Sequence, residues 1–452
     1  MPTYDFIVRG GNVVTERGAM VADVAVSDGR FVAVAPDIEG DATATIPAAG
    51  LDMLPGVIDA HVHFNEPGRT EWEGWASGSA ALAAGGATAC CEMPLNAHPP
   101  TLDRAAFDTK REAAERASLV DFALWGGLTP GNLDRLEELA ECGVVGFKAF
   151  MSDAAMDDFP HADDDTLYEG MRRAAALRLP VAVHAENDAI TRGRARRARV
   201  EGRTGARDYL ASRPAIAELE AIGRALLLAE ESGCALHIVH VSTGRGVALI
   251  AEAKDRGVDV TCETCPHYLV FTEDDVERIG ALAKCAPPLR DTAERDMLWS
   301  ELLAGDVDLI ASDHSPAPPA MKEGEDFFAV WGGISGCQHL LPALVTAGID
   351  HGLSLPEVAR LTASAVARRF RLPGKGGIAV GHDADFFLGK RLTAGELAEE
   401  QCYYRHPRHI WAGKCDRYRV VTTVRRGEAL VREGKVVGTA GGQLLRPDLP
   451  VV

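Results

Sequence analysis

The middle of the chain, from about Leu54 to Arg371, alternates short apolar runs with longer stretches rich in alanine, leucine, glutamate and arginine. The apolar runs have the length of buried strands, and the stretches between them have the composition of helices. The runs are MLPGVID, ATACCEM, DFALWG, VVGFKAF, PVAVHAE, ALHIVHVS, VDVTCETCPHYL and VDLIASDHS. Strands that alternate with helices form parallel βα units. Eight such units in roughly 320 residues predict an α/β fold of the (β/α)8 TIM-barrel type.

The two ends of the chain have a different pattern, that of short strands joined by tight turns. Near the N-terminus, the segments FIVRGGNVV, VADVAV and RFVAVAP are apolar or alternate, and residues 427–438, GEALVREGKVVG, have the pattern of a hairpin. Each end alone is too short to enclose a core. We therefore expect residues 1–52 and 373–452 to form one small β-sandwich domain beside a barrel of residues 53–372.

Composition and charge narrow the range of partners. Of the 452 residues, 46% are hydrophobic and 25% charged, and the net charge is −19. Such an excess of negative charge disfavours binding to nucleic acid or to anionic membranes. No apolar run approaches the ~18 residues of a membrane span. The N-terminal MPTYDFIVRGG lacks the pattern of a signal peptide, and the ten cysteines are scattered. These features predict a cytoplasmic protein with reduced thiols.

Six side chains of metal-ligand type lie near the carboxyl ends of the predicted strands. They are His61, His63, Lys148, His184, His240 and Asp313. In a TIM barrel these ends meet at one mouth, where active sites are built. Side chains two residues apart on a strand point to the same face, so the first two imidazoles can reach one ion. Imidazole and carboxylate suit zinc and similar divalent metals, so the pattern predicts a metal site.

Lys148 is unusual in this group because a protonated amine repels a metal cation. Burial near positive charge lowers the pKa of an amine and leaves it neutral. A neutral amine can add carbon dioxide and become an anionic carbamate, whose two oxygens could bridge two metals. Taken singly, each residue also fits a structural role, such as a snorkelling lysine, a hydrogen-bonded core histidine or a helix-capping aspartate. Their joint occurrence at five strand ends favours the metal site.

Other residues of the same types fit structural roles better. The loop or helix-end histidines are His98, His161, His351, His406 and His409. The pair Cys262-x-x-Cys265 has the spacing of a redox or zinc site, but no second pair accompanies it. We interpret this pair as core packing beside the seventh strand, with His267 as a candidate for the wall of the pocket.

Five motifs occur along the chain in the order GVIDAHVHFNEPG, GFKAFM, VHAEN, HIVHVS and SDHSP. In this order they resemble the cyclic-amide branch of the amidohydrolase superfamily, which includes dihydroorotases, hydantoinases and allantoinases. The resemblance covers nearly the whole chain and includes GKGGIAVGHDADFFL at 374–388, which is similar to the family's return to its small β domain. It implies hydrolysis of a cyclic amide by a hydroxide that two divalent metal ions share.

The resemblance also implies a role for each of the six ligand-type residues. It assigns His61, His63 and Asp313 to the first metal, His184 and His240 to the second, and a carboxylated Lys148 to both. Asp313 would also accept the proton of the hydroxide and deliver it to the leaving nitrogen. Zinc is the default for these ligands, with cobalt, manganese and iron as alternatives. A homotetramer is expected by analogy. The intact ligand set disfavours a non-catalytic scaffold, which stays the more distant alternative.

Asn65 bears on the choice of substrate. In dihydroorotases the corresponding motif resembles His-x-His-x-Arg, and the arginine clamps the carboxylate of the substrate, for which a guanidinium is well suited. Asn65 cannot supply that charge, so an uncharged ring is favoured, although a structural role in the loop before residues 66–68 is equally open. The hydantoinase pattern has a tyrosine a few residues after the lysine. Here Lys148 is followed by AFM, and the nearest tyrosine is Tyr168.

Several further segments together resemble the allantoinases: FNEPGRTEWEGW, EMPLNAHPPT, CETCPHYL, KCAPPLR and DFFAVWGGISGCQ. This resemblance implies that the substrate is allantoin, whose hydantoin ring is opened to allantoate. A hydantoinase or dihydropyrimidinase acting on another neutral ring stays the main alternative. A ring rich in N–H and C=O groups needs uncharged polar partners. The candidate contacts are Asn65, Asn96, the main chain around Cys285, Ser315, and the Gly332–Gly333 turn.

Overall fold

A computed structural model describes residues 3–392, 402–415 and 417–449 of the chain. In chain order the strands are β1 Thr3–Thr15, β2 Gly18–Ser27, β3 Arg30–Ala35, β4 Asp41–Pro47, β5 Asp52–Pro55, β6 Val57–Val62, β7 Ala87–Glu92, β8 Asp121–Leu124, β9 Gly126–Gly127, β10 Phe147–Phe150, β11 Val181–His184, β12 Leu236–Ile238, β13 Val260–Thr264, β14 Leu309–Ile310, β15 Phe386–Arg391, β16 Tyr418–Arg425, β17 Glu428–Arg432 and β18 Lys435–Val436.

The helices lie mainly between the strands of the central part of the chain. They are α1 Trp75–Ala84, α2 Arg104–Ala117, α3 Leu136–Cys142, α4 Asp164–Leu177, α5 Asp188–Val200, α6 Ala206–Ser212, α7 Ala215–Ser232, α8 Gly244–Asp255, α9 Pro266–Val270, α10 Glu273–Ile279, α11 Thr292–Ala304, α12 Leu340–His351, α13 Leu355–Ala359 and α14 Ala365–Arg369. Among the described residues, no helix is both long and apolar enough to span a membrane.

Strands β6 to β14 form a closed ring of parallel strands. Two sheets, β6-β7-β8 and β9-β10-β11-β12-β13-β14, contain them in chain order. Strands β8 and β9 are two parts of one predicted run, separated by Trp125, and they pair with β7 and β10 respectively. The ring closes where Val62 pairs with His314, and the amide of His63 donates to the carbonyl of His314 at 2.8 Å. The eight predicted strands and the (β/α)8 barrel are therefore confirmed.

The barrel strands are continuously apolar because both of their faces are covered. Every residue of β6, β7 and β8 is buried. Side chains from different strands, among them Ile58, Ala89, Ala182 and Leu309, pack together in one cluster with Trp125. Parallel sheets that are covered by helices on one side and filled by side chains on the other lack the alternating pattern of half-exposed strands.

Among the described residues, six helices begin at a side-chain cap, one of which is Ser354 of α13. In each case a side-chain oxygen accepts the backbone N–H three residues further on; the other five caps are Asp103 of α2, Asp163 of α4, Asn187 of α5, Thr243 of α8 and Asp291 of α11. Such caps satisfy N–H groups that have no partner within the helix. They fix the point at which the chain leaves each loop and enters a helix.

The two ends of the chain build one nine-stranded sheet, in the order β18-β17-β16-β15-β5-β1-β2-β3, with β4 pairing with β1. Strands four steps apart in a flat sheet would lie about 19 Å apart. The ring centroids of Phe31, next to the start of β3, and Phe386, at the start of β15, are only 6.1 Å apart. The sheet therefore curls over its own core, and this is how the predicted sandwich is formed. The predicted hairpin at 427–438 is confirmed as β17–β18.

The chain passes between the curled sheet and the barrel at three points. One of them is the stretch between α14 and β15, where the chain leaves the barrel and enters the outer sheet. Strand β5 pairs with β1 and β15 in the outer sheet, and β6 of the barrel begins after the single residue Gly56. Beyond β18 the chain returns to the barrel, where Leu444 pairs with Phe122 of β8. The domain limits at 52/53 and 372/373 stay a prediction.

A buried ion-pair network joins the outer sheet to the barrel. The ammonium of Lys375, whose side chain is 1% exposed, lies 2.6 Å from Asp121, 2.7 Å from Asp385 and 2.9 Å from Asp383. Burial opposes the charge of Lys375, but the carboxylates of Asp385 and Asp121 outweigh it and raise the pKa of the amine. Arg426 also pairs with Asp121. Without the lysine, carboxylates buried between the two parts of the fold would lose their principal counter-ion.

We expect Lys375→Met to lower the free energy of unfolding by about 3–5 kcal/mol, because removing one partner of a buried pair leaves uncompensated charge. Chemical denaturation followed by tryptophan fluorescence measures the effect. Lys390→Met, at an exposed position on β15, is the matched control. Equal stability of the two variants would show that the network does not hold the outer sheet to the barrel.

Candidate metal centre and active-site cavity

Three of the predicted ligands meet at the mouth of the barrel. The Nε2 atoms of His61 and His63 lie 3.3 and 3.5 Å from the same carboxylate oxygen of Asp313. One potential ligand atom of each residue lies within 4.8 Å of the others, and all three side chains are buried. The register between β6 and β7 shifts between Asp59 and Val62, so His61 lies within an irregular stretch of strand and His63 directly after it. Such irregularities re-aim side chains next to active sites.

The other two histidines form a second group beside the first. His184 Nδ1 and His240 Nε2 are 3.1 Å apart. The ring of His240 lies 5.4 Å from the ring of His61, which places the two groups next to each other. Burial lowers the pKa of His184 and brings that of His240 well below its ordinary value. Both imidazoles are therefore neutral near pH 7, which is the form that binds a metal.

Lys148 lies on β10 and is completely buried. Its Nζ has no hydrogen-bond partner among the described residues, and it stands 5.2 Å from the centroid of the Phe150 ring. Burial lowers the pKa of the amine to about 7, against the opposing effect of Glu263 and Asp313. Burial is the main cause of the lowered pKa of His63, and the charge of Lys148 makes a smaller contribution in the same direction. A buried amine without a partner is unusual and marks a place where a further group would fit.

Two carboxylates that the sequence analysis did not single out orient the histidines from behind. Glu263 accepts from Nδ1 of His61 at 2.6 Å and lies 3.2 Å from Nε2 of His237. Burial would raise the pKa of Glu263, but the neighbouring imidazoles outweigh it and hold this pKa well below its usual range. The arrangement leaves Nε2 of His61 directed at Asp313. Glu263 lies within the apolar run VTCETC, and a lone acidic residue in a buried strand was the available signal.

The second carboxylate, Glu186, acts on His184. It lies 2.8 Å from Nε2 of His184 and also pairs with Arg213. Burial would raise the pKa of Glu186, but the charge of Arg213 outweighs it and lowers this pKa to about 2. Glu186 is therefore ionised at neutral pH. His184 keeps Nδ1 free to face His240.

Four of the non-glycine residues predicted for the site have left-handed backbone conformations. The φ angles are +64° at Asn65, +69° at Asn96, +40° at His240 and +46° at Asp313. Asparagine tolerates this region, whereas histidine and aspartate adopt it at a cost of order 1–3 kcal/mol. Conformations of this kind concentrate where the surrounding structure holds a functional side chain in place. Here they lie at the ends of the barrel strands or in the loops that follow.

A cavity of about 630 Å³ opens above the two histidine groups. Of the predicted substrate contacts, Asn96, Cys285, Ser315, Gly332 and Gly333 line it. Gly333 has φ +138°, and a Cβ atom at this position would lie 2.2 Å from the carbonyl oxygen of Ser315. Only glycine lets the turn approach Ser315 this closely.

The two asparagines among the predicted contacts are placed differently from each other. Asn96 lines the cavity, and its Nδ2 lies 3.4 Å from Nδ1 of His63. Asn65 is fully buried and is not part of the cavity wall. Its Nδ2 lies 3.5 Å from the carbonyl oxygen of Pro316, and no described residue is a hydrogen-bond partner of its Oδ1. The geometry thus supports the alternative of a structural role for Asn65, and a direct substrate contact stays a prediction.

The cavity wall also contains cationic and aromatic side chains that the sequence analysis did not name. Tyr209, Arg213 and Lys284 are among the buried or half-buried members of this set. The hydroxyl of Tyr209 donates to the carbonyl of Cys285 at 2.9 Å, so it holds that part of the wall. Tyr209 lies in α6 and Arg213 directly after it, whereas Lys284 lies in a distant loop, and no local pattern distinguishes these residues.

The remaining candidates stay outside the cavity wall. Cys262 and Cys265 are fully buried, and both belong to the main hydrophobic core. His267 is also buried, and within the part of the chain that the structure describes neither of its ring nitrogens has a hydrogen-bond partner. It is not part of the cavity wall. His98 is exposed and pairs with Asp158 at 2.7 Å.

A parallel barrel with buried imidazoles, a carboxylate and an unpaired lysine at the carboxyl ends of its strands has the features of a metal-dependent barrel hydrolase. Residues 53–430 match the sequence profile of the Amidohydrolase family. The chain belongs to this family.

Relatives that align over their full length show similarity to particular members of the family. An allantoinase of Rubrobacter xylanophilus is 61% identical over 450 residues, which cover 99% of each chain. An allantoinase of Solibacter usitatus is 58% identical and covers 98% of this chain and 96% of its own. Among solved structures, an L-hydantoinase (dihydropyrimidinase) from Arthrobacter aurescens is 35% identical, with a TM-score of 0.95 over 98% of this chain and 100% of its own.

The residues at the barrel mouth fit the divalent metals that the family implies. His61 carries a carboxylate on the ring nitrogen that faces away from Asp313, and His184 carries one on the nitrogen that faces away from His240. Histidines that bind metals are commonly oriented in this way. Nδ1 of His240 and Nζ of Lys148 have no hydrogen-bond partner in residues 3–392, 402–415 and 417–449. These unpaired polar atoms are consistent with a site built for added groups.

We expect Glu263→Gln to weaken metal retention by about 10- to 100-fold, because the amide no longer holds the ring of His61 as a carboxylate does. Dialysis against a graded chelator series, followed by elemental analysis, measures the change. Glu252→Gln, on the exposed face of α8, is the control. Equal metal retention in both variants would contradict an orienting role for Glu263.

Proposed function

We propose that this protein is an allantoinase, which hydrolyses the hydantoin ring of allantoin to give allantoate. The observation that carries the proposal is the full-length similarity to allantoinases, at 61% and 58% identity. Because this identity extends over the whole chains, it includes the barrel mouth and the loops around it. The similarity is therefore not confined to a shared fold. The uncharged contacts of the cavity suit a ring with several N–H and C=O groups.

We propose the six ligand-type side chains as the holders of two divalent ions. His61, His63 and Asp313 would hold one ion, His184 and His240 the other, and Lys148, as a carbamate, both. When bound, such ions supply Lewis acidity, which lowers the pKa of water and polarises a carbonyl. The lowered pKa of Lys148 supports the carbamate, because only the neutral amine adds carbon dioxide.

Asp313 is the proposed proton carrier. Burial would raise the pKa of its carboxyl, but His61 and His63 outweigh that effect and lower the pKa to about 2. The group is thus ionised at neutral pH and ready to accept a proton. Its position in the cavity wall lets it pass that proton to the ring nitrogen that leaves.

The walls of the cavity would hold the ring by uncharged groups. Ser315 and the main chain at Cys285, Gly332 and Gly333 offer hydroxyl, N–H and C=O partners on one side. Asn96 is on the cavity wall near His63. Phe150 also lines the cavity, stacked on His184 with ring centroids 4.5 Å apart. An apolar face at this place excludes water from the reacting bond.

A second candidate is a hydantoinase or dihydropyrimidinase of neutral rings. The TM-score of 0.95 to the L-hydantoinase from Arthrobacter aurescens favours it. Identity of 35% to that protein is well below the 61% to the allantoinase of Rubrobacter xylanophilus, and we therefore place it second. Zinc as the native metal, a homotetramer and a cytoplasmic location stay predictions.

A comparison of four rings by kcat/KM tests the proposed function. On metal-replete protein we expect kcat/KM for allantoin to exceed kcat/KM for hydantoin, dihydrouracil and dihydroorotate by at least about tenfold. A ring that leaves polar groups of the cavity unpaired loses at least that much transition-state binding. Ring opening is followed by absorbance and by chromatography of the product. A preference for hydantoin or dihydrouracil would favour the second candidate, and a preference for dihydroorotate would contradict both.

We expect Lys148→Ala to lose at least one metal per chain and to reduce kcat by more than about 100-fold, since a bridging ligand is removed. Metal content and turnover are measured against Lys435→Ala, at an exposed position on β18. The pKa of about 7 gives a further expectation. The neutral amine increases from pH 6 to pH 8, so bicarbonate should promote metal uptake by the unsubstituted protein more strongly at pH 8. Full metal content in Lys148→Ala would refute the carbamate.

A further inference from the structure

The outer part of the cavity carries positive charge on a protein that is strongly negative overall. The net charge of the chain is −19. Nevertheless, the cationic side chains on the cavity wall are Arg192, Arg196, Arg199, Arg213 and Lys284. The acidic side chains on the same wall are Asp153, Asp188 and Asp313, of which the last belongs to the proposed metal centre. A concave surface of one sign raises the local concentration of ions of the opposite sign.

Three of these cations form one face of helix α5. Arg192, Arg196 and Arg199 are spaced by four and three residues, which places them on the same side of a helix. All three are exposed, so they lie at the mouth of the cavity rather than at its base. Arg197 is exposed on the same helix but does not line the cavity.

Some of the cations already have partners. Arg213 pairs with Glu186, and Arg192 pairs with Asp188 at 2.8 Å. The ammonium of Lys284 donates to the carbonyl of Val330 at 2.5 Å. These side chains hold the wall together and have less capacity to bind a ligand.

Arg196 and Arg199 differ from the others. Within residues 3–392, 402–415 and 417–449, no carboxylate lies within ion-pair distance of either guanidinium. The guanidinium of Arg199 stands 5.1 Å from the centroid of the Phe328 ring, which also lines the cavity. Stacking on an aromatic face fixes a guanidinium without using its N–H donors. Arg199 therefore keeps donors available for an anion.

The charge at the mouth extends inwards. Lys284, on the cavity wall and 6% exposed, has a pKa lowered to about 8, first by burial and then by the charges of Arg213 and Arg199. The same positive charges would attract a negatively charged group placed between these side chains.

Hydrolysis of a neutral cyclic amide creates such a group. Water adds to the ring carbonyl, the carbon–nitrogen bond breaks, the nitrogen takes a proton, and the acid formed loses a proton at neutral pH. The substrate is uncharged and the product carries one negative charge. Cations at the mouth therefore attract the anionic product more strongly than the uncharged substrate, independently of the uncharged contacts.

We propose that Arg196 and Arg199 form an anion-binding subsite at the mouth of the cavity that takes the carboxylate of the ring-opened product. This inference rests on the proposed function for the identity of the product. The subsite lies between the proposed metal centre and solvent, so it offers the carboxylate a second position on its way out. The wall contains no such pair of unpartnered cations among the other described residues.

The double variant Arg196→Gln/Arg199→Gln tests this subsite, with Arg197→Gln as the matched control on the same helix. Calorimetric titration of the metal-replete protein with allantoate gives the dissociation constant. Exposed ion pairs contribute little individually, so we expect the double variant to raise this constant by about 3- to 10-fold, and Arg197→Gln to leave it unchanged. The difference between the double variant and the control should shrink at high salt, because exposed charges are screened.

Inhibition by product gives the second readout. The inhibition constant of allantoate should rise in the double variant by more than the KM of uncharged allantoin does. A dissociation constant in the double variant equal to that of Arg197→Gln would overturn the subsite, as would the absence of allantoate binding to the unsubstituted protein. Failure of the proposed function is distinguishable from failure of the subsite. The first is shown by the absence of allantoin turnover, whereas the titration with allantoate decides for or against the two arginines.

Discussion

The structure is organised around several basic side chains that share one buried space. His63, His184, His240 and Lys148 are buried at the barrel mouth, and their pKa values are all lowered, with burial as the first cause. They cannot all carry protons so close together, because like charges in a poorly solvated site repel one another strongly. The neutral forms that result are those that bind metals. Asp313 supplies negative charge next to them, on the side that faces the cavity.

The surrounding structure keeps these side chains in position. Glu263 and Glu186 fix the rings of His61 and His184 from behind, and both carboxylates are held ionised by cationic or imidazole neighbours. The left-handed backbone at His240 is maintained although it is unfavourable for a histidine. Interactions that stabilise the rest of the fold must supply this energy. The Lys375 network is one of them, and it lies where the outer sheet joins the barrel, away from the cavity wall.

The cavity has two electrostatic zones with different tasks. The inner zone combines neutral imidazoles with Asp313, and its walls are mostly uncharged amides, hydroxyls and main-chain groups. The outer zone carries the arginines of α5. A neutral ring has little electrostatic preference between the zones, whereas a carboxylate formed in the inner zone is attracted by the cations of the mouth and would also be attracted by metal ions at the proposed centre. This division suits a reaction in which charge first appears when the ring opens.

The sequence by itself determined the eight strands, the pairing of the two chain ends in one small domain, and the family. These features depend on local apolar runs and on strand ends that must converge in a closed barrel, so the six ligand-type residues could be found from their positions along the chain. Tertiary structure alone decided that Glu263 orients His61, that Asn65 lies outside the cavity wall, and that the arginines of α5 face the mouth. Each of these depends on contacts between segments that are separate in the sequence. A carboxylate behind a histidine, or one face of a helix over a cavity, has no local signature, because the packing of distant elements sets its direction.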